Sequence, residues 1–109
     1  TYSEYLDRYV LIGTSFDSAS GTHGFFVSYS DDLVGWTHRE LVLEKELPWT
    51  VQDPNAPYYS APSLLDPESS SRNFERVGKT AYIYYGRDNR APGGLDSDML
   101  RIPIEFFNP

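Results

Sequence analysis

A ten-residue stretch, residues 27–36, constrains the fold of this chain more than any other segment. It reads Val-Ser-Tyr-Ser-Asp-Asp-Leu-Val-Gly-Trp, and its first half alternates larger side chains with serines, which is the period of a half-buried β-strand. Asp31 and Asp32 then interrupt the alternation with side chains that favour tight turns. We therefore predict a strand, a corner in which one of these aspartates caps the turn, and a Trp36 side chain packed in the core.

The rest of the chain shows strand-like runs and no convincing helical periodicity, so we predict an all-β fold. The first three predicted strands are expected to form an antiparallel meander. Pro62 limits its own strand to an edge or irregular position, because proline cannot donate a hydrogen bond to a neighbouring strand. The predicted strands are residues 8–14, 24–30, 36–43, 59–65, 79–86 and 98–106.

Three polar segments are predicted as loops between these strands. Residues 15–23 are mostly small and polar, and residues 87–97 are rich in glycine and charged side chains. Residues 44–58 contain Pro48, Pro54 and Pro57, and they are expected to form a long crossing loop. A loop of this length in a compact domain is usually functional or disordered.

Composition excludes several classes of function. Nine Lys and Arg residues against 16 Asp and Glu give a formal net charge of −7, which repels phosphate backbones and anionic lipids and makes nucleic acid and membrane surfaces poor partners. The chain has no cysteine, so disulfides and thiolate sites are excluded. A neutral ligand rich in hydroxyl groups suits the charge and the high tyrosine content.

A weak internal repeat divides the chain. Residues 8–13 and the hairpin that follows them correspond to residues 80–86 and their following strand, since each is an aromatic strand that ends in glycine. A unit of this size cannot bury both of its faces alone. Stacked propeller blades of about four strands solve that problem, and the chain holds enough strands for about two blades.

Several short motifs, in their order along the chain, carry a resemblance to a known family. Residues 30–36 resemble the S-x-D-L-x-x-W corner of five-bladed β-propeller glycoside hydrolases, in the arabinanase/xylosidase and invertase-like groups. Residues 59–67 (Tyr-Ser-Ala-Pro-Ser-Leu-Leu-Asp-Pro) resemble the innermost strand of a blade, which borders the central pocket. Residues 81–87 (Ala-Tyr-Ile-Tyr-Tyr-Gly-Arg) resemble its second strand, and residues 98–106 complete a closing blade.

The resemblance implies an architecture made of antiparallel propeller blades. We expect residues 1–109 to be one segment of about two blades, approximately 1–50 and 58–109, joined by the proline-rich loop. The segment is then the C-terminal part of a five-bladed β-propeller, or one chain of a cleaved one. Its partners are carbohydrate and the remaining blades or another chain, and secretion is implied by the resemblance alone.

The implied activity concerns oligosaccharides or polysaccharides. Glycosidases of this kind use a general acid and a general base, two carboxylates that flank the scissile bond, but no complete set matches this chain, so whether it is an enzyme stays open. The alternatives are a non-catalytic, lectin-like carbohydrate-binding protein and a β-rich protein-interaction domain. No cofactor or metal is expected, because Asp31 with Asp32, and Asp96 with Asp98, supply too few oxygen ligands for calcium.

Two Asp-Pro pairs resemble the general-base motif of the family. Asp-Pro is also a common turn initiator, because the aspartate side chain caps backbone N–H groups while proline fixes the next φ angle. We favour the turn interpretation for both Asp53 and Asp66. Asp53 remains the weak catalytic candidate, since its loop leads into the predicted inner strand.

The remaining candidates are side chains suited to sugar contact. Aromatic faces stack on the C–H surfaces of sugars, and polar side chains hydrogen-bond to their hydroxyl groups. Packing, solvation and surface ion pairing are the alternative roles, the last for Arg87 beside Asp88, and His38 is expected to be exposed. The predicted ligand-binding residues are His23, Trp49, Tyr58, Tyr59, Ser60 and Arg87.

Overall fold

The computed structural model describes residues 1–71, 73, 75–90 and 96–107, and in these the fold is all-β, as predicted. Residues 91–95 of the predicted loop at 87–97 lie outside the described part. None of the described residues forms a helix of the length and apolarity needed to cross a membrane. The strands are β1 (Tyr2–Ser3), β2 (Arg8–Asp17), β3 (Thr22–Ser30), β4 (Glu40–Glu44), β5 (Tyr58–Leu65), β6 (Arg76–Val77), β7 (Thr80–Asp88) and β8 (Ser97–Glu105).

The strands form two sheets. Sheet A has the order β4-β3-β2-β1-β6, and sheet B has the order β5-β7-β8. All neighbours are antiparallel except β1 and β6, which are parallel. The predicted meander is therefore confirmed as β2-β3-β4, and the described residues give sheets of five and three strands instead of four.

The hydrophobic core lies between the two sheets. Alternate residues of each strand point inward, so the apolar side chains of β2 and β3 meet those of β5, β7 and β8. Phe25 and Ile83 are fully buried, and the Phe25 ring packs edge-on against Tyr85 with 5.3 Å between ring centroids. The buried hydrophobic residues of this cluster are Val10, Phe25, Val27, Leu47, Leu64, Val77, Ala81, Ile83, Tyr85 and Phe106.

The ends of the strands depart from prediction in two places. The loop predicted at residues 15–23 was wrong at both of its ends, because β2 continues to Asp17 and β3 begins at Thr22. These polar residues stay extended since each still has a partner across the hairpin. The third predicted strand, 36–43, was also wrong in its start, because β4 begins only at Glu40.

The acidic corner after β3 is capped as predicted. The Asp32 carboxylate accepts hydrogen bonds from the backbone N–H groups of Val34 and Gly35, each at 2.9 Å. These bonds, that of Gly35 first, lower the pKa of Asp32. Asp31 instead pairs with Arg8 at 3.0 Å. Of the two aspartates, Asp32 is therefore the turn cap.

The prediction that Trp36 packs in the core was wrong. Its side chain is 39% exposed, and all of residues 31–40 lie at the surface. Thr37 explains the course of the chain here, because its N–H donates to the Tyr29 carbonyl and its hydroxyl accepts the Tyr29 N–H, both at 2.9 Å. The segment is thereby held along the edge of β3 before β4 begins, and Trp36 does not reach the core.

The connection from sheet A to sheet B is the long proline-rich loop, which spans residues 45–57. The strand it leads into, β5, lies at the edge of sheet B and carries a register shift between Ser60 and Ser63. Ala61, inside this irregular stretch, has a φ of 56°. The prediction that Pro62 forces an edge or irregular strand is confirmed on both counts.

Candidate functional site

One end of the molecule gathers most of the predicted site residues. It is formed by the start of β3, the loop at 45–57, and the ends of β5 and β7 that meet there. A cavity of about 290 Å³ lies between β3 and the loop. We call it the loop cavity; it is lined by His23, Glu46, Thr50, Val51, Gln52, Asp53 and Ala56.

The His23 ring is held on three sides in the loop cavity. Its Nδ1 lies 2.8 Å from the Lys45 carbonyl oxygen, and a carbonyl only accepts, so Nδ1 carries the proton. Its Nε2 lies 3.6 Å from a Glu46 carboxylate oxygen. Phe16, from the facing end of β2, stacks on the ring with 6.3 Å between centroids. His23 is therefore fixed in orientation, with Nε2 facing the carboxylate.

Glu46 is fixed by the loop itself. Its second carboxylate oxygen accepts a hydrogen bond from the Thr50 hydroxyl at 2.9 Å, and the same hydroxyl accepts the Leu47 N–H at 2.8 Å. Leu47 is fully buried in the core between the sheets. The first residues of the proline-rich loop are thus anchored by the buried Leu47 side chain and by the Thr50 hydroxyl.

Asp53 and Asp66 both cap turns. An Asp53 carboxylate oxygen accepts the Asn55 N–H at 2.9 Å. The Asp66 carboxylate is buried and accepts N–H groups from Glu68 and Gly78, each at 2.9 Å. The turn interpretation of the two Asp-Pro pairs is confirmed. Asp53 also lines the loop cavity with His23, so its catalytic candidacy stays a prediction.

Tyr59 connects the loop cavity to sheet B. Its N–H donates to the Glu46 carbonyl at 2.8 Å, and the Lys45 ammonium lies 4.5 Å from the centre of its ring. Across the sheet Tyr59 is opposite Arg87. The packing role and the ligand role that we considered for Tyr59 are both compatible with this position, because the side chain is only half-buried.

Arg87 lies at the end of β7 rather than in a loop, which corrects the prediction. Its partner is Asp98 on β8, at 2.8 Å, and not the adjacent Asp88. Asn89 completes the group, since its side-chain oxygen accepts from Arg87 at 2.7 Å and its nitrogen donates to Asp98 at 3.0 Å. The hydrogen bond to Asp98 raises the pKa of Arg87, and the bonds from Asn89 and Arg87 lower the pKa of Asp98.

Tyr58 and Asp88 form a second polar pair on the opposite face of sheet B. The Tyr58 hydroxyl donates to Asp88 at 2.8 Å, which raises the pKa of Tyr58. The Arg90 N–H, and after it the Tyr58 hydroxyl, lower the pKa of Asp88. The Arg90 guanidinium lies 4.7 Å from the Tyr58 ring centre. The Tyr58 oxygen, having donated its proton to this bond, keeps its capacity to accept one.

The other predicted residues are placed as follows. Trp49 is 62% exposed on the loop, as its interpretation as a platform requires, and His38 is exposed on the far corner. Ser60 is half-buried in β5, opposite Gly86. The end of the molecule thus holds His23, Trp49, Asp53, Tyr58, Tyr59 and Arg87, with Ser60 one residue further along β5.

Sequence reasoning missed three members of the site. Glu46 and Phe16 flank His23, and Lys45 covers Tyr59. The two charged residues carry a weak signal, because they open the proline-rich loop. Phe16 was missed because residues 15–23 were predicted as a loop. Metal chemistry finds no support in the described part of the chain, where no three His, Asp or Glu side chains are grouped to hold an ion.

Comparisons with known proteins leave the resemblance resting on the sequence motifs. No protein-family model matches the chain, and no match was found among curated proteins or among solved structures. The class that the structure itself defines is a two-sheet, all-β fold with a polar and aromatic site where the chain passes from one sheet to the other.

Proposed function

We propose that the chain binds a neutral oligosaccharide or polysaccharide through the loop cavity and the adjoining ends of β5 and β7. The observation that carries this proposal is that candidate residues distant in sequence lie at one end of the fold. These residues, which were chosen for their chemistry, are His23, Asp53, Tyr59 and Arg87. Exposed Trp49 supplies an aromatic face for the apolar side of a sugar ring. The polar side chains of the loop cavity suit the hydroxyl groups of a sugar.

We further propose that these sheets are two blades of a glycoside hydrolase-like β-propeller, with secretion following from the same resemblance. The order of strands supports it. In each sheet consecutive long strands lie side by side, β2-β3-β4 in sheet A and β7-β8 in sheet B, as in an up-and-down blade. The strands β2 and β5 contact each other, which fits two successive blades packed side by side.

Binding without hydrolysis is the form of the proposal that the site geometry favours. Glu46 and Asp53 are the two carboxylates of the loop cavity, and hydrolysis needs one acid and one base. Glu46 is engaged by Thr50 and faces His23, while Asp53 caps its turn. Both side chains are held in structural contacts, so a lectin-like role comes before a catalytic one.

The charge of the site narrows the ligand class. The chain has a formal net charge of −7, and two of its carboxylates, Glu46 and Asp53, line the loop cavity. Arg87 is already paired with Asp98. Acidic sugars are disfavoured by like-charge repulsion. Neutral arabino-, xylo- and fructo-oligosaccharides are therefore the probes of choice, with a uronic acid oligomer as the comparison.

The test compares matched pairs of variants in a calorimetric titration with these sugars. Trp49→Ala should weaken binding by about tenfold, equivalent to about 1.4 kcal/mol of lost stacking, whereas Trp36→Ala on the far corner should not change it. His23→Ala should weaken binding and His38→Ala should not. The two control residues flank Thr37, which bonds to Tyr29, six residue steps of about 3.3 Å, or about 20 Å, along β3 from His23.

Three outcomes decide among the classes. Binding without release of reducing sugar supports the lectin-like role. Release that Asp53→Asn abolishes would make Asp53 a catalytic residue and overturn the view that it only caps a turn. An absence of binding to every sugar at millimolar concentration contradicts the proposal and leaves the protein-interaction domain.

A further inference from the structure

The two sheets repeat one strand pair. β2 with β3 and β7 with β8 each pair antiparallel in register over nine residues, and these are the segments of the internal sequence repeat. On its other side β7 is covered by β5, from Tyr58 to Leu65. On its other side β2 is paired only with the two residues of β1, opposite Tyr9 and Arg8. Among the residues that the structure describes, sheet A therefore has no counterpart of β5.

The direction of the backbone N–H and C=O groups of β2 shows which of them face away from β3. The Val10 N–H donates to the Thr1 carbonyl at 2.7 Å, so the main chain of Val10 points away from β3. The directions of N–H and C=O alternate along a strand, and Ile12 and Thr14 consequently point the same way. In the described part of the chain no strand pairs with β2 there beyond Val10. Residues 11–16 present an open edge.

Space for side chains exists on the face of sheet A over β2 and β3. A depression of about 230 Å³ lies on the sheet A surface there. A methyl group built on Gly13 would meet nothing within 4 Å, and Leu11 is 56% exposed. The depression is lined by Leu11, Ile12, Gly13, Thr14, Ser15, Phe26, Ser28 and Arg39. An added strand would find hydrogen-bonding partners along β2, and side chains on its outer face would lie beside Leu11 and Gly13.

We propose that the open edge of β2 pairs with an antiparallel polypeptide strand of the β5 type, contributed by the rest of the propeller. This rests on the propeller part of the proposed function and not on sugar binding. The geometry that carries it is the pairing of β5 with β7 in the sister sheet. The direction agrees, because β1 runs antiparallel to β2 and a strand continuing the line of β1 past Thr1 would follow residues 11–16. An unpaired edge of this kind is also an aggregation risk, which a paired strand removes.

The experiment supplies the strand covalently. Six residues added directly before Thr1 lie opposite residues 11–16 in the register of β1, and we choose a copy of residues 80–85 from β7, a segment that pairs with β8 without a register shift. Tethering raises the effective concentration into the millimolar range, so even a weak strand pairing is populated. The expected result is that amide hydrogen exchange at Ile12 and Thr14 slows by about tenfold or more.

Two controls make the result specific. Six Gly and Ser residues in place of the copied strand should give less protection. Thr14→Pro removes a donor that points to the open edge and leaves the pairing with β3 intact, so it should cancel the gain at Ile12. Leu11 and Gly13, whose N–H groups face β3, report that the fold is unchanged.

Two results would overturn the inference. The first is unchanged exchange at Ile12 and Thr14 in the extended chain while Leu11 stays protected. The second is a concentration-dependent dimer of the unextended chain that protects the same amides, since the occupant would then be a second copy. Sugar binding is measured on the same samples. Because it tests the proposed sugar site and not the strand pairing, failure of one proposal can be told from failure of the other.

Discussion

Leu47 is the residue through which the fold holds the site, and replacing it tests that dependence. It is fully buried between the sheets although it belongs to the proline-rich loop. Leu47→Ala leaves a cavity in the core, a change that costs about 2–5 kcal/mol. A domain of 109 residues has a free energy of unfolding of about 5–15 kcal/mol. If the cavity costs about 3 kcal/mol of this unfolding free energy, the melting temperature falls by about 12 °C or more.

The assay is urea unfolding followed by near-ultraviolet circular dichroism, with the m-value checked between variants. Leu41→Ala is the matched control, because Leu41 lies on the edge strand β4 and is 41% exposed. It should cost less than about 1 kcal/mol. Equal midpoints for the two variants would refute the placement of Leu47 in the core. Faster exchange at Val51 alone, with an unchanged midpoint, would show that the loop is anchored only locally.

Two further predictions concern single contacts. Gly24→Ala should destabilise the fold strongly, because Gly24 has a φ of 146° and an added Cβ would clash with the Leu43 carbonyl oxygen. Gly13→Ala is the control and should be tolerated, since an added Cβ meets nothing within 4 Å. Thermal melts compare the two variants, and an equal fall in melting temperature would contradict the argument. Tyr58→Phe should raise the pKa of Asp88 toward its ordinary value of 3.8, so the stability that this carboxylate contributes above that pH shrinks and is lost at a higher pH on acidification. A carboxyl carbon NMR titration measures it, and an unmoved pKa would contradict the hydrogen bond.

The long strands were predictable because runs of seven or more extended-type residues lie between segments rich in turn-forming residues. β3, β5, β7 and β8 were each placed within about two residues for this reason. The two-residue strands β1 and β6 were missed, since two residues cannot show a period. Trp36 was misplaced because an apolar side chain in a strand-like run suggests burial, and the Thr37 contact that holds its segment at the surface depends on three-dimensional pairing.

The site was predictable in its residue types and not in its arrangement. His23 and Asp53 were singled out for different reasons and are 30 positions apart, yet they line one cavity. Their meeting depends on where the loop leaves β4 and where Leu47 enters the core. Glu46 shows the limit most clearly, because its contact with His23 arises from a loop conformation that no local pattern encodes.

The coupling between core and site follows from the path of the chain. Leu47 packs between the sheets, and its direct neighbour Glu46 holds both His23 and Tyr59, one by its side chain and one by its carbonyl. A ligand that contacts both the loop and β5 would therefore act on Glu46 and Leu47, the two residues that join sheet A to sheet B. Binding should then stabilise the packing of the sheets as well as the loop, since a ligand that prefers the folded state raises its free energy of unfolding. Because Leu47→Ala weakens that junction, its loss of stability and its loss of sugar affinity should appear together, whereas Trp49→Ala should lose affinity alone.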